Sequence, residues 1–124
     1  MLDILIAEDE PSILESLDFI LKRAGWSIQS VTDGDAALAA VKRLKPRIVV
    51  LDVMLPKRSG FEVLKQIRAD VETRELPVLI LTAKGQVQDR RTAEELGANS
   101  FVTKPYANAD VVGAVRLLLG GAGG

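Results

Sequence analysis

Five strand-length apolar runs alternate along this chain with five segments that carry apolar residues at helical spacing. The runs cover residues 2–7, 26–31, 47–51, 77–81 and 100–103. The first, third and fourth are almost continuously aliphatic, which is typical of strands covered on both faces. Regular alternation of strands and helices indicates right-handed crossovers and a parallel sheet with helices on both sides. We therefore predict an α/β fold with a doubly wound, five-stranded parallel sheet.

The helical segments differ in how many apolar residues can anchor them to the sheet. In four of them the apolar residues share one face: Ile13, Leu17, Ile20, Leu21 and Ala24; Ala37, Ala40, Val41 and Leu44; Val63, Leu64, Ile67 and Val71; Val111, Val112, Val115, Leu118 and Leu119. Pro11 and Gly25 bound the first helix, and Pro46 stops the second. The fourth segment, residues 86–96, reads QVQDRRTAEEL and has few apolar anchors. We expect that helix to be docked least firmly.

The length of the chain and its last residues indicate how it is organised. A chain of 124 residues forms one domain, which we place at residues 1–119. Residues 120–124 read GGAGG and are predicted to be a flexible tail or the start of a linker. If they begin a linker, the part that follows it is not in this chain.

Composition excludes several kinds of function. Sixteen basic residues face seventeen acidic ones, so we expect no direct nucleic acid binding by this domain. The chain contains neither cysteine nor histidine, which removes thiolate sites, the commonest general base and the commonest transition-metal ligand. No stretch approaches the ~20 apolar residues of a membrane span, and the N-terminal run is too short for a signal peptide. We therefore expect a cytoplasmic protein with no membrane partner.

Polar residues with complementary chemistry follow four of the predicted strands. Glu8 and Asp9 follow the first, Asp52 the third, Thr82 the fourth and Lys104 the fifth. The functional crevice of an open parallel sheet lies beyond the carboxyl ends of its strands. We therefore expect these five side chains to converge at one edge of the sheet.

Clustered carboxylates call for a cation, because each like-charged pair at ~4 Å costs about 4 kcal/mol near a protein surface. Oxygen ligands without histidine or cysteine favour a hard ion, Mg²⁺ or Mn²⁺. Lys104 supplies a positive charge that suits phosphate, and Thr82 supplies a hydrogen-bond donor. A metal, a lysine and an exposed carboxylate together indicate phosphoryl transfer onto that carboxylate.

Each of these residues also has an ordinary structural interpretation. Glu8 and Asp9 could cap a helix N-terminus, Asp52 could belong to a turn, Thr82 could end a strand, and Lys104 could be a solvated surface charge. Those interpretations require each residue to occur at its strand end by chance, independently of the others. Complementary chemistry at every polar strand end is hard to obtain in that way.

The chain contains the segments ILIAEDEP, IVVLDVMLPKRSG, PVLILTAK and SFVTKPY. In their order and spacing the sequence resembles the receiver domain of bacterial two-component response regulators, from Leu2 to about Leu119. This resemblance implies a flavodoxin-like (βα)5 fold with sheet order 2-1-3-4-5. It also implies that Asp52 is the phosphoacceptor, and that Asp52, Glu8, Asp9 and the backbone carbonyl of Met54 hold the metal.

The resemblance also assigns the residues that would respond to phosphorylation. Thr82 and Lys104 would contact the phosphoryl oxygens, and the bond between Lys104 and Pro105 would be cis. Phe101 matches the aromatic residue that rotates inward on activation, so Thr82 and Phe101 would form the switch. The ordinary alternative for Phe101 is core packing.

The resemblance implies partners as well. A sensor histidine kinase or a phosphotransfer protein would donate the phosphoryl group, and an unknown effector or a missing C-terminal output domain would respond. The chain would catalyse only its own phosphorylation and dephosphorylation, and would not be an enzyme acting on outside substrates. The alternative is a stand-alone or degenerate receiver that acts as a phosphorylation-independent protein-interaction module.

The sequence features that bear on homodimerisation on phosphorylation point in opposite directions. In a large branch of the family, dimers use the fourth helix, fifth strand and fifth helix, with an acidic residue and a tyrosine where this chain has Asn99, Ser100 and Phe101. That pattern is missing here, so the dimer is not carried over. Asp89 and Arg90 do resemble the fourth helix of that branch.

Two other classes of function share parts of this pattern. A flavodoxin-like FMN binder would place a Ser/Thr/Gly-rich phosphate loop after the first strand, where this chain has EDEP. An aspartyl phosphatase would carry a second acid, as general acid, at the position of Met54. Both are therefore disfavoured.

Two residues beside the predicted acceptor bear on how long the phosphoryl group persists. Met54 lies two residues after Asp52, and Lys84 lies two residues after Thr82. Neither side chain can orient an attacking water well, because methionine lacks a strong donor or acceptor and charged lysine cannot accept a proton. We predict a phosphorylated state that is long-lived compared with fast motility-type receivers.

Overall fold

Five parallel strands form one sheet in the computed structural model, which describes residues 1–83 and 87–119. The strands are β1 (Ile4–Ala7), β2 (Ile28–Val31), β3 (Ile48–Asp52), β4 (Val78–Ala83) and β5 (Ser100–Lys104). Their order in the sheet is β2-β1-β3-β4-β5. The predicted fold class and strand order are therefore confirmed. The predicted glycine-rich tail and Lys84 lie outside the described residues.

The five helices alternate with the strands. They are α1 (Pro11–Arg23), α2 (Gly34–Leu44), α3 (Gly60–Ala69), α4 (Val87–Glu95) and α5 (Asn108–Leu118). Asp33 caps α2 by accepting a hydrogen bond from the amide of Ala36 at 2.7 Å. Ser59 and Glu62 form a capping box at the start of α3. No helix in the described part of the chain is long and apolar enough to cross a membrane.

The helices cover both faces of the sheet, which explains the continuously aliphatic strands. One core packs the buried residues of α1 and α5 against Ile4, Ile6, Ile48, Val50, Leu79 and Leu81. The other packs the buried residues of α2, α3 and α4 against Leu5, Ala7, Val49, Leu51, Val78 and Ile80. Because successive strand residues point to opposite faces, each central strand is apolar at every position that the helices cover, and polar residues appear only at its carboxyl end.

The helical anchors agree with the sequence pattern except at Val71. The prediction that Val71 anchors the third helix is wrong, because α3 ends at Ala69 and the side chain of Val71 is 72% exposed. The chain leaves the helix at Asp70, whose carboxylate accepts a hydrogen bond from the amide of Glu72 at 2.9 Å. In α4, whose residues are all described, Ala93 alone is buried, in keeping with the expected weak docking.

Candidate functional site

Three carboxylates meet at the carboxyl edge of the sheet. Glu8 follows β1 and is fully buried, Asp52 ends β3 and is 4% exposed, and Asp9 lies at the surface. Each offers one carboxylate oxygen, and these three atoms all lie within 4.8 Å of one another. The predicted convergence of these three residues is therefore present in the fold.

The ammonium group of Lys104 bridges two of those carboxylates. Its Nζ lies 3.1 Å from Oε1 of Glu8 and 3.1 Å from Oδ1 of Asp52. Lys104 ends β5, so its side chain reaches past the end of β4 to meet Asp52 on β3. The lysine is therefore held at the site by two buried partners and is not a solvated surface charge.

The charges of the site perturb one another. Burial raises the pKa of Glu8, and the charge of Asp52 raises it further, whereas the amide of Glu10 and the Lys104 ammonium oppose the rise. Burial alone would lower the pKa of Lys104, but the carboxylates of Asp52 and Glu8 outweigh that effect, so its pKa is raised. Lys104 is therefore protonated at neutral pH.

The donor set of the site fits a small divalent cation. Three carboxylates face one ammonium, so negative charge is left over at a place where two of the acids are buried. All the donors are oxygens, the ligands that Mg²⁺ and Mn²⁺ prefer. Asp9 is exposed, so the site opens to solvent on that side.

Thr82 lies beside this cluster at the end of β4 and is 1% exposed. Its Oγ1 is 3.4 Å from Oγ1 of Thr103, the residue paired with it in the ladder of β4 and β5. The sequence did not single out Thr103, although the register of two adjacent strands is the signal that places it. In this state the Thr82 hydroxyl has a partner on β5.

Phe101 lies on β5 with its ring partly buried against the core. The guanidinium carbon of Arg90, on α4, stands 4.2 Å from the centre of that ring, which is a cation–π contact. The aromatic residue that the resemblance assigns to the switch is thus covered by the weakly docked helix. The peptide bond between Lys104 and Pro105 is cis, as the resemblance implies.

Met54 follows Asp52 by two residues in the loop after β3, and its side chain is 76% exposed. The flanking residues Val53 and Leu55 are buried instead, so the side chain of Met54 points to solvent. Its influence on phosphate lifetime, and that of Lys84, stay predictions.

The known proteins that this chain resembles agree with the geometry of the site. The family described as response regulator receiver domain matches residues 4–116. The probable transcriptional regulatory protein TcrX of Mycobacterium tuberculosis is 44% identical over 116 residues, which are 94% of this chain and 49% of TcrX. The alkaline phosphatase synthesis transcriptional regulatory protein PhoP of Bacillus subtilis is 40% identical over 94% of this chain and 48% of PhoP. The chain thus spans about half the length of these curated relatives.

Solved structures give the same result. The signal receiver domain of a signal transduction histidine kinase from Syntrophus aciditrophicus is 30% identical with a TM-score of 0.90, over 98% of this chain and 92% of that one. The receiver domain of a sensor histidine kinase from Pseudomonas aeruginosa, with a magnesium ion coordinated in its active-site cleft, is 27% identical with a TM-score of 0.89. That match covers 96% of this chain and 98% of the other.

Proposed function

Because the chain belongs to the response regulator receiver domain family, we propose that it is switched by transfer of a phosphoryl group onto Asp52. The observation that carries this proposal is the position of Asp52 at the end of β3, paired with Lys104 at 3.1 Å beside two further carboxylates. Lys104 contacts both Glu8 and Asp52 across β4, and of these two acids Asp52 is the one that is not fully buried.

In the proposed reaction a carboxylate oxygen of Asp52 attacks phosphorus. The P–N bond of a phosphohistidine breaks, and its electron pair stays on the departing imidazole nitrogen; with acetyl phosphate a P–O bond breaks instead. The product is an acyl phosphate on Asp52. Such transfer needs mainly positioning and charge neutralisation. Lys104 supplies a positive charge next to the attacking carboxylate. After transfer, its ammonium group would contact the phosphoryl oxygens.

We infer that Glu8, Asp9, Asp52 and the backbone carbonyl of Met54 hold Mg²⁺ or Mn²⁺. When bound, such an ion would neutralise charge on the transferring phosphoryl oxygens and leave coordination positions for them. The buried carboxylate of Glu8 already binds Lys104 through Oε1 and the amide of Glu10 through Oε2. Glu8 would therefore contribute a buried negative charge to the set that holds the ion, and Asp9 is the exposed member of that set.

The proposed switch connects this site with the face made by α4, β5 and α5. Thr82 would turn its hydroxyl from Thr103 toward the phosphoryl group, and Phe101 would move into the space behind it. That motion would break the stacking of Arg90 on Phe101 and release α4. The remodelled face would bind an effector or a second copy of the chain.

The partners follow from the proposed reaction. A sensor histidine kinase or phosphotransfer protein would be the donor, and we place the protein in the cytoplasm with it. TcrX and PhoP carry names of transcriptional regulators and are about twice as long as this chain. We therefore propose that the output is gene regulation through a further domain or a separate effector. The chain itself would catalyse only its own phosphorylation and dephosphorylation.

The test is phosphorylation by acetyl phosphate in the presence and absence of Mg²⁺. Wild type should gain one phosphoryl group that hydroxylamine removes, and Asp52→Asn should gain none. Asp70→Asn is the control, because Asp70 lies after α3 and pairs with Lys42 at the surface. Full labelling of Asp52→Asn would show that the acceptor is another residue.

A further inference from the structure

Two loops on the same side of the site are joined to each other at several points. One is the β2–α2 junction, residues 32–35, and the other is the β3–α3 loop, residues 53–59, which carries Met54. The amide of Gly34 donates a hydrogen bond to the carbonyl of Pro56 at 3.1 Å. Gly34 is the first residue of α2, whose amide has no partner within the helix. The β3–α3 loop thus supplies an acceptor that the helix lacks.

Contact between the loops at Gly34 is closer than any side chain would allow. A Cβ placed on Gly34 would stand 2.2 Å from the carbonyl oxygen of Arg58 and 2.5 Å from its Cβ. Gly34 is buried, and neither of its neighbours is the far end of a flexible side chain. The β3–α3 loop therefore rests directly on the backbone of the β2–α2 junction.

Two ion pairs cross the same junction. Nε of Arg58 lies 2.6 Å from Oδ1 of Asp35, and Nζ of Lys57 lies 3.8 Å from Oδ2 of Asp33. Lys57 has φ of 68°, a left-handed backbone conformation that costs free energy and persists only where surrounding contacts impose it. These contacts hold the loop in that conformation.

The loop in turn rests on the predicted acceptor. Gly60, which follows the loop, donates its amide to the carbonyl of Val53 at 2.9 Å. A Cβ on Gly60 would stand 2.2 Å from the carbonyl oxygen of Asp52. Backbone contacts therefore run without a gap from Gly34 through Arg58 and Gly60 to Asp52.

We propose that the β2–α2 junction positions the acceptor site: Gly34, together with the Arg58–Asp35 and Lys57–Asp33 ion pairs, holds the β3–α3 loop so that Asp52 and the Met54 carbonyl face the donor and the metal correctly. These are positioning residues, since they touch neither. The proposal deepens the proposed function and rests on it. The exposed ion pairs contribute little to stability by themselves. Their effect should therefore appear in phosphorylation and metal affinity more than in the free energy of unfolding.

The first experiment compares Gly34→Ala with Gly113→Ala. Gly113 lies in α5, and a Cβ there meets nothing within 4 Å. In Gly34→Ala we expect phosphorylation by acetyl phosphate to slow roughly 10- to 100-fold, because displacement of about 1 Å far from the chemistry has that effect. Mg²⁺ binding should weaken, and in metal-free protein the amides of residues 53–60 should exchange faster. Gly113→Ala should match wild type in all three measurements.

The second experiment covers the case in which Gly34→Ala does not fold. Asp35→Asn, Arg58→Gln and the double variant are compared with Asp18→Asn, which breaks an ion pair of similar exposure on α1. We expect each single change at the junction to slow phosphorylation severalfold with the melting temperature almost unchanged, and the double variant to be no slower than either. Asp18→Asn should phosphorylate like wild type.

The proposal would be overturned if Gly34→Ala were phosphorylated as fast as wild type and protected the amides of residues 53–60 equally well. The same result in both Asp35→Asn and Arg58→Gln would also overturn it. So would a loss of activity that merely follows the unfolded fraction, since that indicates a structural role. If wild type itself takes up no phosphoryl group, the proposed function fails instead. The exchange rates of residues 53–60 in metal-free protein then still decide whether the junction holds the loop.

Discussion

Lys104 and Asp52 form an ion pair across the end of an intervening strand. Nζ of Lys104 is 3.1 Å from Oδ1 of Asp52, although β4 separates the strands that carry them. Asp52 is almost fully buried, and an unpaired buried carboxylate is costly. The lysine therefore supports the folded state as well as the proposed transfer.

Replacing Lys104 by Met should destabilise the metal-free protein by roughly 1.5–3 kcal/mol, the range for hydrogen bonds to charged groups. Mg²⁺ should recover part of the loss. Burial already raises the pKa of Glu8, and removal of the lysine should raise it further. The folded variant then takes up a proton before the unfolded chain does, so its deficit relative to wild type should shrink as pH falls.

Urea unfolding of Lys104→Met at several pH values measures this effect. Lys42→Met is the control, because Lys42 pairs with Asp70 at 3.5 Å and is 65% exposed. Its deficit should stay within about 1 kcal/mol. If the loss of stability in Lys104→Met did not change with pH, the effect could not be assigned to protonation of Glu8.

Asp9→Asn should weaken Mg²⁺ binding about tenfold, or ~1.4 kcal/mol, while stability without metal stays equal or rises. The reason is that Asp9 repels Glu8 and Asp52 when no cation is present. The N-cap of α1 is Glu10 and makes no side-chain cap bond, which argues against a capping role for this segment. Calorimetric titration and urea unfolding test both parts, with Glu15→Gln on α1 as control. Destabilisation in metal-free buffer would instead favour the helix-cap interpretation of Asp9.

Phosphorylation should change amide hydrogen exchange most in α4. This helix has one buried residue, Ala93, and Arg90 holds it to Phe101 through a single cation–π contact. Arg90→Ala should bring exchange of α4 in the unphosphorylated protein closer to that of the phosphorylated state. Arg91→Ala, at an exposed neighbouring position, is the control. A largest change in α1 would contradict this view of the switch.

The double variant Met54→Asn with Lys84→Glu should lose its phosphoryl group faster than wild type, by roughly one to two orders of magnitude. Asparagine and glutamate carry polar groups that can orient an attacking water, which methionine and charged lysine cannot. Decay of labelled protein after removal of the donor measures the rate. Unchanged or slower decay would show that these two residues do not control the lifetime.

Much of the fold could be predicted from sequence alone. Alternating apolar runs and helical patterns predict the class, because periodicity reports which faces of each element are buried. The strand ends predicted which side chains converge, since all parallel strands end at one edge. The strand order came from the resemblance to a family. Val71 misled the prediction, because an apolar residue at helical spacing does not show where Asp70 ends the helix.

Only the tertiary structure decided how the converging residues pair. Strand register and loop packing determine three contacts of this kind. Lys104 pairs with Asp52 across β4, Thr82 contacts Thr103, and Gly34 packs against Arg58. These contacts join residues far apart in the chain, and no local pattern encodes their distance. Sequence periodicity determines which face of an element is buried, whereas the packing of one element on another determines which side chains touch.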